Sequence, residues 1–522
     1  MLTKRSQALE RVAARETPWD LVVIGGGATG VGIAMDAASR GIDVLLLEQS
    51  DFGKGTSSRS TKLVHGGVRY LQQGNLTLVR DALHERTRLR KNAPHLVHDM
   101  PFLIPCRSRW QRFYYGAGLK VYDLLAGRNS FGRSHGISGP KTAQRLPTLR
   151  PAQYRGGVIY HDGQFDDTRL LINMAQTADE HGATLLNYFP VTGLIKDDQN
   201  KVAGVQAVDQ ETGETLEIAA RCVVNAAGPF CDDVRRMDEA DCQPMLAASQ
   251  GVHIVLPRSF FPGDTALIVP ETSDGRVLFM IPWHDHVVVG TTDTPIENVE
   301  LEPSAQEQEI QFLLDTTAEF LSEVPRRTDV LSVFVGIRPL VKGDKSARTA
   351  SLSRDHVIRA SDSGLLTITG GKWTTVRKMA EDCVDRVIEQ TGVSAGSCQT
   401  KQLPIHGATE SLPSGPRAYY GADLAELKLL EKEQPAWAEP LHPALPVCPA
   451  DVVWAVRNEA ARTVEDVLAR RTRSLFLNSP VAVEIAPAVA RLMAGELDRD
   501  PAWCDEQVAQ FKATAKHFLM HN

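Results

Sequence analysis

Residues 19–51 read WDLVVIGGGATGVGIAMDAASRGIDVLLLEQSD, and this stretch decides the fold. Two apolar runs, LVVI and VLLL, flank a glycine turn and a run of small residues at helical spacing, so the grammar is strand, turn, helix, strand. Gly25, Gly27 and Gly30 stand at G-x-G-x-x-G spacing, and Glu48 follows the second strand. The first glycine permits the tight turn, the second lets backbone approach a pyrophosphate, and the third allows close helix–strand packing. The helix N-terminus adds free N–H groups and the positive end of its dipole. An acid at the end of the second strand accepts hydrogen bonds from ribose hydroxyls and repels a 2′-phosphate. A dinucleotide of the FAD or NAD type is therefore expected, and NADP is not.

Working outward, residues 53–71, GKGTSSRSTKLVHGGVRYL, replace apolar periodicity with glycines and hydroxyls, as suits close backbone approach to a ligand. RCVVNAAG at 221–228 is a buried strand running into a small-residue turn. LLTITGGKWTTVRK at 365–378 repeats the strand, double-glycine, helix grammar, with the helix continuing to 391. Two glycine turns far apart in sequence are expected to converge on one elongated cofactor. Residues 201–218 alternate like a hairpin. Residues 250–339 carry VHIVLP, RVLFMIPW, HVVVGTTD and VLSVFVGIRP, a mostly antiparallel sheet with one helix at 305–322. Helical patterns dominate from 449 onward, as in DVVWAVRNEAARTVEDVLARRTRS. The expected organisation is an oxidoreductase region over 18–393 with its main insert at about 245–340. A linker and an α-helical domain follow over 394–522.

Composition narrows the function classes. At 522 residues and 43% hydrophobic the chain can bury several cores, and a net charge of −7 offers no general attraction to nucleic acid. Its eight cysteines include no C-x-x-C pair and no Cys/His ligand spacing, so reduced thiols in a cytosol-facing protein are expected, without zinc or a redox disulfide. The cluster His284, Asp285, His286 alternates faces on a strand and is expected to form a hairpin turn; no metal is assigned. The charged N-terminus lacks the apolar core of a signal peptide, and no apolar run reaches the length of a spanning helix, so any membrane contact is expected to be peripheral.

The motifs GGGATGVGIAMDAASRG, TSSRSTKLVHGGVRYL, GTTDTP, VGIRPL, LSRDHVI, GGKWTT and RNEAARTVEDVLARRTR span almost the whole chain, and together they resemble the aerobic, FAD-dependent glycerol-3-phosphate dehydrogenases. The resemblance implies an α/β (α+β) architecture: a Rossmann-like FAD domain built from discontinuous segments, an inserted antiparallel-sheet substrate domain, and a C-terminal α-helical domain. It implies FAD contacts at Gly25, Gly27, Gly30, Glu48, Thr56, Ser57, Ser58, His65, Gly66, Gly228, Gly371, Lys372, Thr374 and Thr375. Lys372 would place positive charge where reduction of the flavin builds negative charge.

Oxidising the C2 alcohol of glycerol 3-phosphate requires hydride transfer, removal of the hydroxyl proton and a fixed dianionic phosphate. Guanidinium groups suit the phosphate, and Arg69, Arg338 and Arg354 lie in the matching motifs, with Tyr70 and Thr292 as hydroxyl donors. His253, titrating near neutrality, is the first candidate for general base; Arg338, which can stabilise an alkoxide, is the competing one. One nucleotide fingerprint and no redox cysteine pair argue against NAD as a second substrate. The resemblance points to a membrane quinone, and residues 107–128 have the cationic and aromatic character of an interfacial segment. Peripheral attachment at the cytoplasmic face of a cell membrane follows, and a homodimer is left open. Three alternatives remain: an oxidase passing electrons to O₂, a non-catalytic flavin-binding redox sensor, and an amine-oxidising flavoprotein.

Overall fold

The apolar runs at Leu21–Ile24 and Val44–Leu47 form the middle of a parallel sheet, since strands covered on both faces have no position that tolerates a polar side chain. This computed structural model describes residues 1–68, 76–150, 153–272, 275–342 and 356–520. The six-stranded sheet runs His356–Ala360, Leu366–Gly370, Val223–Asn225, Leu21–Ile24, Val44–Leu47, Thr184–Leu186, all parallel except the first pair. The chain leaves this sheet and re-enters it three times, which makes the unit discontinuous. Helices Ala28–Ser39, Asp167–Glu180 and Val376–Thr391 share a core on one face. The other face packs against a three-stranded sheet in which Val202–Val208 and Thr215–Ala219 form the expected hairpin.

The second sheet is larger than the 250–339 stretch suggests. Besides Leu246–Pro257, Ala266–Val269, Leu278–Trp283, His286–Gly290, Thr294–Pro295 and Ser332–Val341, it takes in Leu63–Val64, Val97–Cys106, His135–Ser138 and Gly156–Phe165. Its pairs are antiparallel apart from Ala266–Val269 against Val97–Cys106. The expected helix spans Glu307–Phe320, opened by a capping box of Gln306 and Glu309. His284 and Asp285 have φ of 44° and 57° and make the tight turn between Leu278–Trp283 and His286–Gly290, as their position in the strand pattern implies.

Residues 457–473 depart from expectation. The sequence reads as continuous helix, but the helix Pro449–Asn458 stops, the chain turns at Ala460 (φ 54°), a π-helical turn covers Asp466–Arg471, and Arg473 again has positive φ (58°). The cause is charge. Arg169 pairs with Glu459 at 2.7 Å, Arg471 with Asp51 at 2.6 Å and Arg473 with Asp166 at 2.9 Å, all buried, and one straight helix could not turn all of these side chains inward. Residues 107–128 form one helix, Arg109–Ala126, capped by the Ser108 hydroxyl. It buries Leu119, Tyr122 and Ala126 and leaves Trp110, Phe113 and Leu124 exposed at 70%, 66% and 80%.

Candidate active site

A cavity of about 1010 Å³ lies between the carboxyl ends of the parallel strands and one face of the larger sheet. That is where open α/β sheets bind ligands. At its dinucleotide end Gly25 takes φ 108°, and an added Cβ would stand 2.7 Å from the carbonyl oxygen of Ala226. A Cβ on Gly30 would overlap the carbonyl oxygen of Gly25, so the helix can approach the strand only because that carbon is missing. Gly27 differs: its Cβ would face the cavity, with only Ser57 Oγ near it at 3.3 Å. The Glu48 carboxylate accepts from the amides of Gly26 at 2.5 Å and Ser50 at 2.8 Å, and burial pushes its carboxyl above the ordinary range against the pull of those amides.

The wall opposite the turn is set by strand register. Ser249, Gly251 and His253 alternate onto one face of Leu246–Pro257; Arg338, Gly336 and Phe334 stand opposite them, and Gly290 lies beside His253 on the next strand. Glycine at 251, 290 and 336 makes room on this face for the Arg338 guanidinium, the His253 ring and the backbone of Arg59, in that order. A Cβ on Gly290 would overlap the His253 ring, and one on Gly251 the Arg338 guanidinium. That guanidinium is held over Gly251 by Asp293 at 3.1 Å, the carbonyl of Thr292 at 3.0 Å and the hydroxyl of Thr291 at 3.2 Å. This places it one step of strand alternation, roughly 7 Å, from His253. Ser249 in turn hydrogen-bonds Asp293.

His253 stacks on Phe334, ring centroids 4.7 Å apart and 10° from parallel, and its Nε2 meets the Thr61 hydroxyl at 2.9 Å. Burial, with Arg338 and Lys62 nearby, pushes its pKa well below the usual imidazole value. This corrects the expectation of titration near neutrality: the ring is neutral at neutral pH because a second positive charge there would be desolvated and repelled. Lys62 itself is buried, bonded to Asp167 at 2.7 Å and lying over the rings of Trp283, Phe334 and Phe476.

Beyond His253 and Arg338 the cavity turns apolar. Phe102, Ile104, Tyr160, Ile268 and Phe279 line this arm, and Tyr115 brings it to the inner side of the helix Arg109–Ala126.

The second glycine turn closes on the first. Gly371 has φ 74°, Trp373 Nε1 donates to the Ser57 carbonyl at 2.9 Å, and the Thr374 hydroxyl accepts from the His65 amide at 3.1 Å. Gly25, Gly27, Glu48, Thr56, Ser57, His65, Gly228, Gly371, Lys372 and Thr374 all line the cavity, as do His253, Arg338 and Thr292. Ser58, Gly66 and Thr375 stand behind its wall. Ser58 is buried, Gly66 leaves room for Tyr122 and Leu83, and the Thr375 hydroxyl turns back to the Lys372 carbonyl. Thr292 is 1% exposed; its hydroxyl donates to Glu309 at 2.8 Å and accepts from the Val252 amide at 2.9 Å, so its proton is committed and its part is to anchor this face of the sheet. Thr291 and Asp293 reach the site instead. Arg69, Tyr70 and Arg354 lie outside the described residues.

Neither Thr61 nor Asp293 could be singled out by pattern, since both sit in hydroxyl- and turn-rich stretches. Lys62 carried only the signal of a cation immediately before a short apolar strand.

The family model for FAD dependent oxidoreductases matches residues 20–377, and that for the C-terminal domain of alpha-glycerophosphate oxidase matches residues 415–504. The mitochondrial glycerol-3-phosphate dehydrogenase of Mus musculus is 39% identical over 99% of this chain and 75% of its own length. The Arabidopsis thaliana mitochondrial enzyme is 41% identical over 97% of this chain and 87% of its own. The chain belongs to the FAD-dependent glycerol-3-phosphate dehydrogenases. The crystal structure of the Bacillus halodurans glycerol-3-phosphate dehydrogenase complexed with FAD superposes with a TM-score of 0.80 at 31% identity, covering 98% of this chain and 97% of that one. A glycine oxidase from Geobacillus kaustophilus, at 17% identity and TM-score 0.52, shares the fold alone.

For a glycerol-3-phosphate dehydrogenase the cavity fits FAD on its own chemistry. The glycine cradle leaves Cβ-sized space at Gly27, the first residues of the helix Ala28–Ser39 line the cavity beside it, and the length of the cavity reaches from Glu48 to the 370–376 turn.

Proposed function

We propose that the chain oxidises sn-glycerol 3-phosphate at C2 to dihydroxyacetone phosphate with FAD as hydride acceptor, and passes the electrons to a membrane quinone. The observation that carries the substrate reading is the placing of a buried, neutral imidazole, His253, and an oriented guanidinium, Arg338, side by side on one face of the larger sheet, both lining the cofactor cavity. FAD supplies the two-electron acceptor. Arg338 pairs with substrate oxygens and lowers the cost of developing negative charge at the C2 oxygen, while His253, kept neutral by its surroundings, accepts the hydroxyl proton. Arg69, Tyr70 and Arg354 complete phosphate binding in this proposal, and Lys372 faces the flavin. Adding glycerol 3-phosphate anaerobically is expected to bleach the flavin absorbance. A band that stays oxidised would make the chain a flavin-binding module, and bleaching by amino acids instead would favour an amine oxidase.

The quinone reading is supported by the apolar lining, which reaches from beside His253 towards a helix with aromatic side chains on its outer face. The match to the C-terminal domain of an oxidase favours O₂ as the second reading. Reoxidation of the reduced enzyme decides between them: quinone analogue should restore the oxidised spectrum much faster than dissolved oxygen.

Attachment is proposed at the cytoplasmic face of a membrane, through the helix Arg109–Ala126. No helix among the described residues is long and apolar enough to cross a bilayer. Trp110, Phe113 and Leu124 can enter the headgroup region while Arg109, Arg112 and Lys120 meet anionic lipid, each cation contributing about 1 kcal/mol, so salt should reverse the binding. The protein should co-sediment with anionic liposomes at low ionic strength and be released at high, and Trp110→Ser with Tyr114→Ser should abolish pelleting. Equal pelleting of wild type and the double variant would move the anchor elsewhere.

A further inference from the structure

Residues 48–59 form one wall of the cofactor cavity, and the charges that fix this wall come from outside the parallel-sheet unit. Asp51 lies three residues beyond Glu48. Its carboxylate, fully buried, receives Arg470 Nε at 2.5 Å and both Arg471 Nη1 at 2.6 Å and Nη2 at 2.9 Å, all from the C-terminal unit. Burial alone would raise the Asp51 carboxyl; the two guanidiniums outweigh it and hold it below the usual range. Lys54, three residues further on, bridges Glu465 of the C-terminal unit at 2.9 Å and Glu302, between the strand Thr294–Pro295 and the helix Glu307–Phe320, at 3.3 Å, and Arg59 also pairs with Glu302 at 2.6 Å. Arg470 ties back to Glu465 and Asp466, both at 2.6 Å, and the Tyr188 hydroxyl, whose backbone amide bonds the Ser50 carbonyl at 2.7 Å, donates to Asp466 at 2.6 Å. The π-helical turn Asp466–Arg471 is therefore the piece that stitches the cofactor wall to the C-terminal helices.

We propose that the C-terminal unit is a clamp on the cofactor: Arg470 and Arg471, acting through Asp51, and Glu465, acting through Lys54, are positioning residues that hold residues 48–59 against the adenosine half of FAD. The physical basis is that the Asp51 carboxylate finds its cationic partners only across the seam, while Arg470 and Lys54 also have partners on their own side. With the C-terminal unit docked, Asp51 and both arginines are paired; with it displaced, the wall carries an unpaired buried carboxylate next to the ribose acid and has no reason to keep its cavity-lining form. The clamp rests on FAD lying along the glycine turn and Glu48, and not on which substrate the enzyme oxidises.

Linkage makes the proposal testable in both directions: if docking tightens FAD binding by some factor, FAD binding must tighten docking by the same factor. The experiment uses the full-length chain, stripped of flavin and titrated with FAD, as wild type and as Glu465→Gln, which keeps the side chain's shape and removes one charge from a partly exposed position. The dissociation constant for FAD is expected to rise about tenfold in the variant. In wild type, FAD should slow amide hydrogen exchange in Pro449–Asn458 and Asp466–Arg471, segments that line no part of the cavity, and Glu465→Gln should blunt that protection. A purely structural role would weaken the flavin-free and flavin-bound protein alike and leave both readouts unmoved. An FAD dissociation constant within about twofold of wild type, or exchange in those two segments identical with and without FAD in the unmutated protein, overturns the clamp. The wild-type exchange measurement decides the matter by itself should the variant fail to fold.

Discussion

A Gly27→Val chain is expected to fold and to carry no flavin, while Gly30→Val is expected to lose both the flavin and much of the fold's stability. The two glycines stand three residues apart and fail for different reasons. At Gly27 an added Cβ meets only Ser57 Oγ at 3.3 Å, so the protein itself accommodates a side chain and only the volume reserved for the pyrophosphate is taken. At Gly30 the Cβ falls on the Gly25 carbonyl oxygen, a backbone atom that cannot rotate away, so the helix Ala28–Ser39 must lift off the strand Leu21–Ile24. Both faces of that helix are packed, and overpacking of this kind costs about 1–3 kcal/mol or more. Flavin absorbance per mole of protein, set beside thermal unfolding of the flavin-free forms, separates the two. Full flavin occupancy in Gly27→Val would remove the cofactor from this turn.

The second large effect is expected at Arg338. Arg338→Ala should leave flavin content unchanged and lower kcat/KM for glycerol 3-phosphate by roughly 10–150-fold, the loss of a charge-assisted contact of about 1.5–3 kcal/mol. The fall should reach the upper end, and appear in kcat, if the guanidinium also meets the developing alkoxide. Arg338→Lys should recover little, because the donors that Asp293, Thr291 and the Thr292 carbonyl orient are those of a planar fork, and an ammonium presents no such plane. Near-normal turnover in Arg338→Ala would place substrate binding elsewhere in the cavity, and full recovery in Arg338→Lys would reduce the role to charge.

How much of this was legible beforehand differs by element. The glycine turn, its acid and the second turn at 370–376 were readable because each is a local solution: φ of 108° at Gly25 and 74° at Gly371 demands glycine whatever surrounds it, and the flanking strands announce themselves as unbroken apolar runs. The hairpins at 202–219 and 278–290 were readable for the same reason. Strand membership was less so. Val97–Cys106 and Gly156–Phe165 join the larger sheet from far upstream, and nothing within either stretch names its partner.

The residues 457–473 show the limit most clearly. Their spacing is that of a helix, and an isolated peptide has no reason to be anything else. Arg470 and Arg471 stand in a π-helical turn instead of one continuous α-helix, and from there both reach the buried Asp51, more than 400 positions earlier. Thr292 and Thr291 are neighbours of one chemical type, and only the position of Glu309 across the sheet decides which hydroxyl is consumed and which reaches Arg338.

What the amino-acid sequence determined by itself was therefore the cofactor: local backbone geometry and one acid, all within 33 consecutive residues, suffice to specify a dinucleotide cradle. The substrate-facing wall was decided by tertiary structure alone. Glycines 251, 290 and 336 on three different strands make room for Arg338, His253 and the Arg59 backbone, and the charge state of the wall follows from burying His253 near Arg338 and Lys62. Register between distant strands and desolvation of a shared interior are properties that no single segment possesses, so they exist only once the sheet has closed.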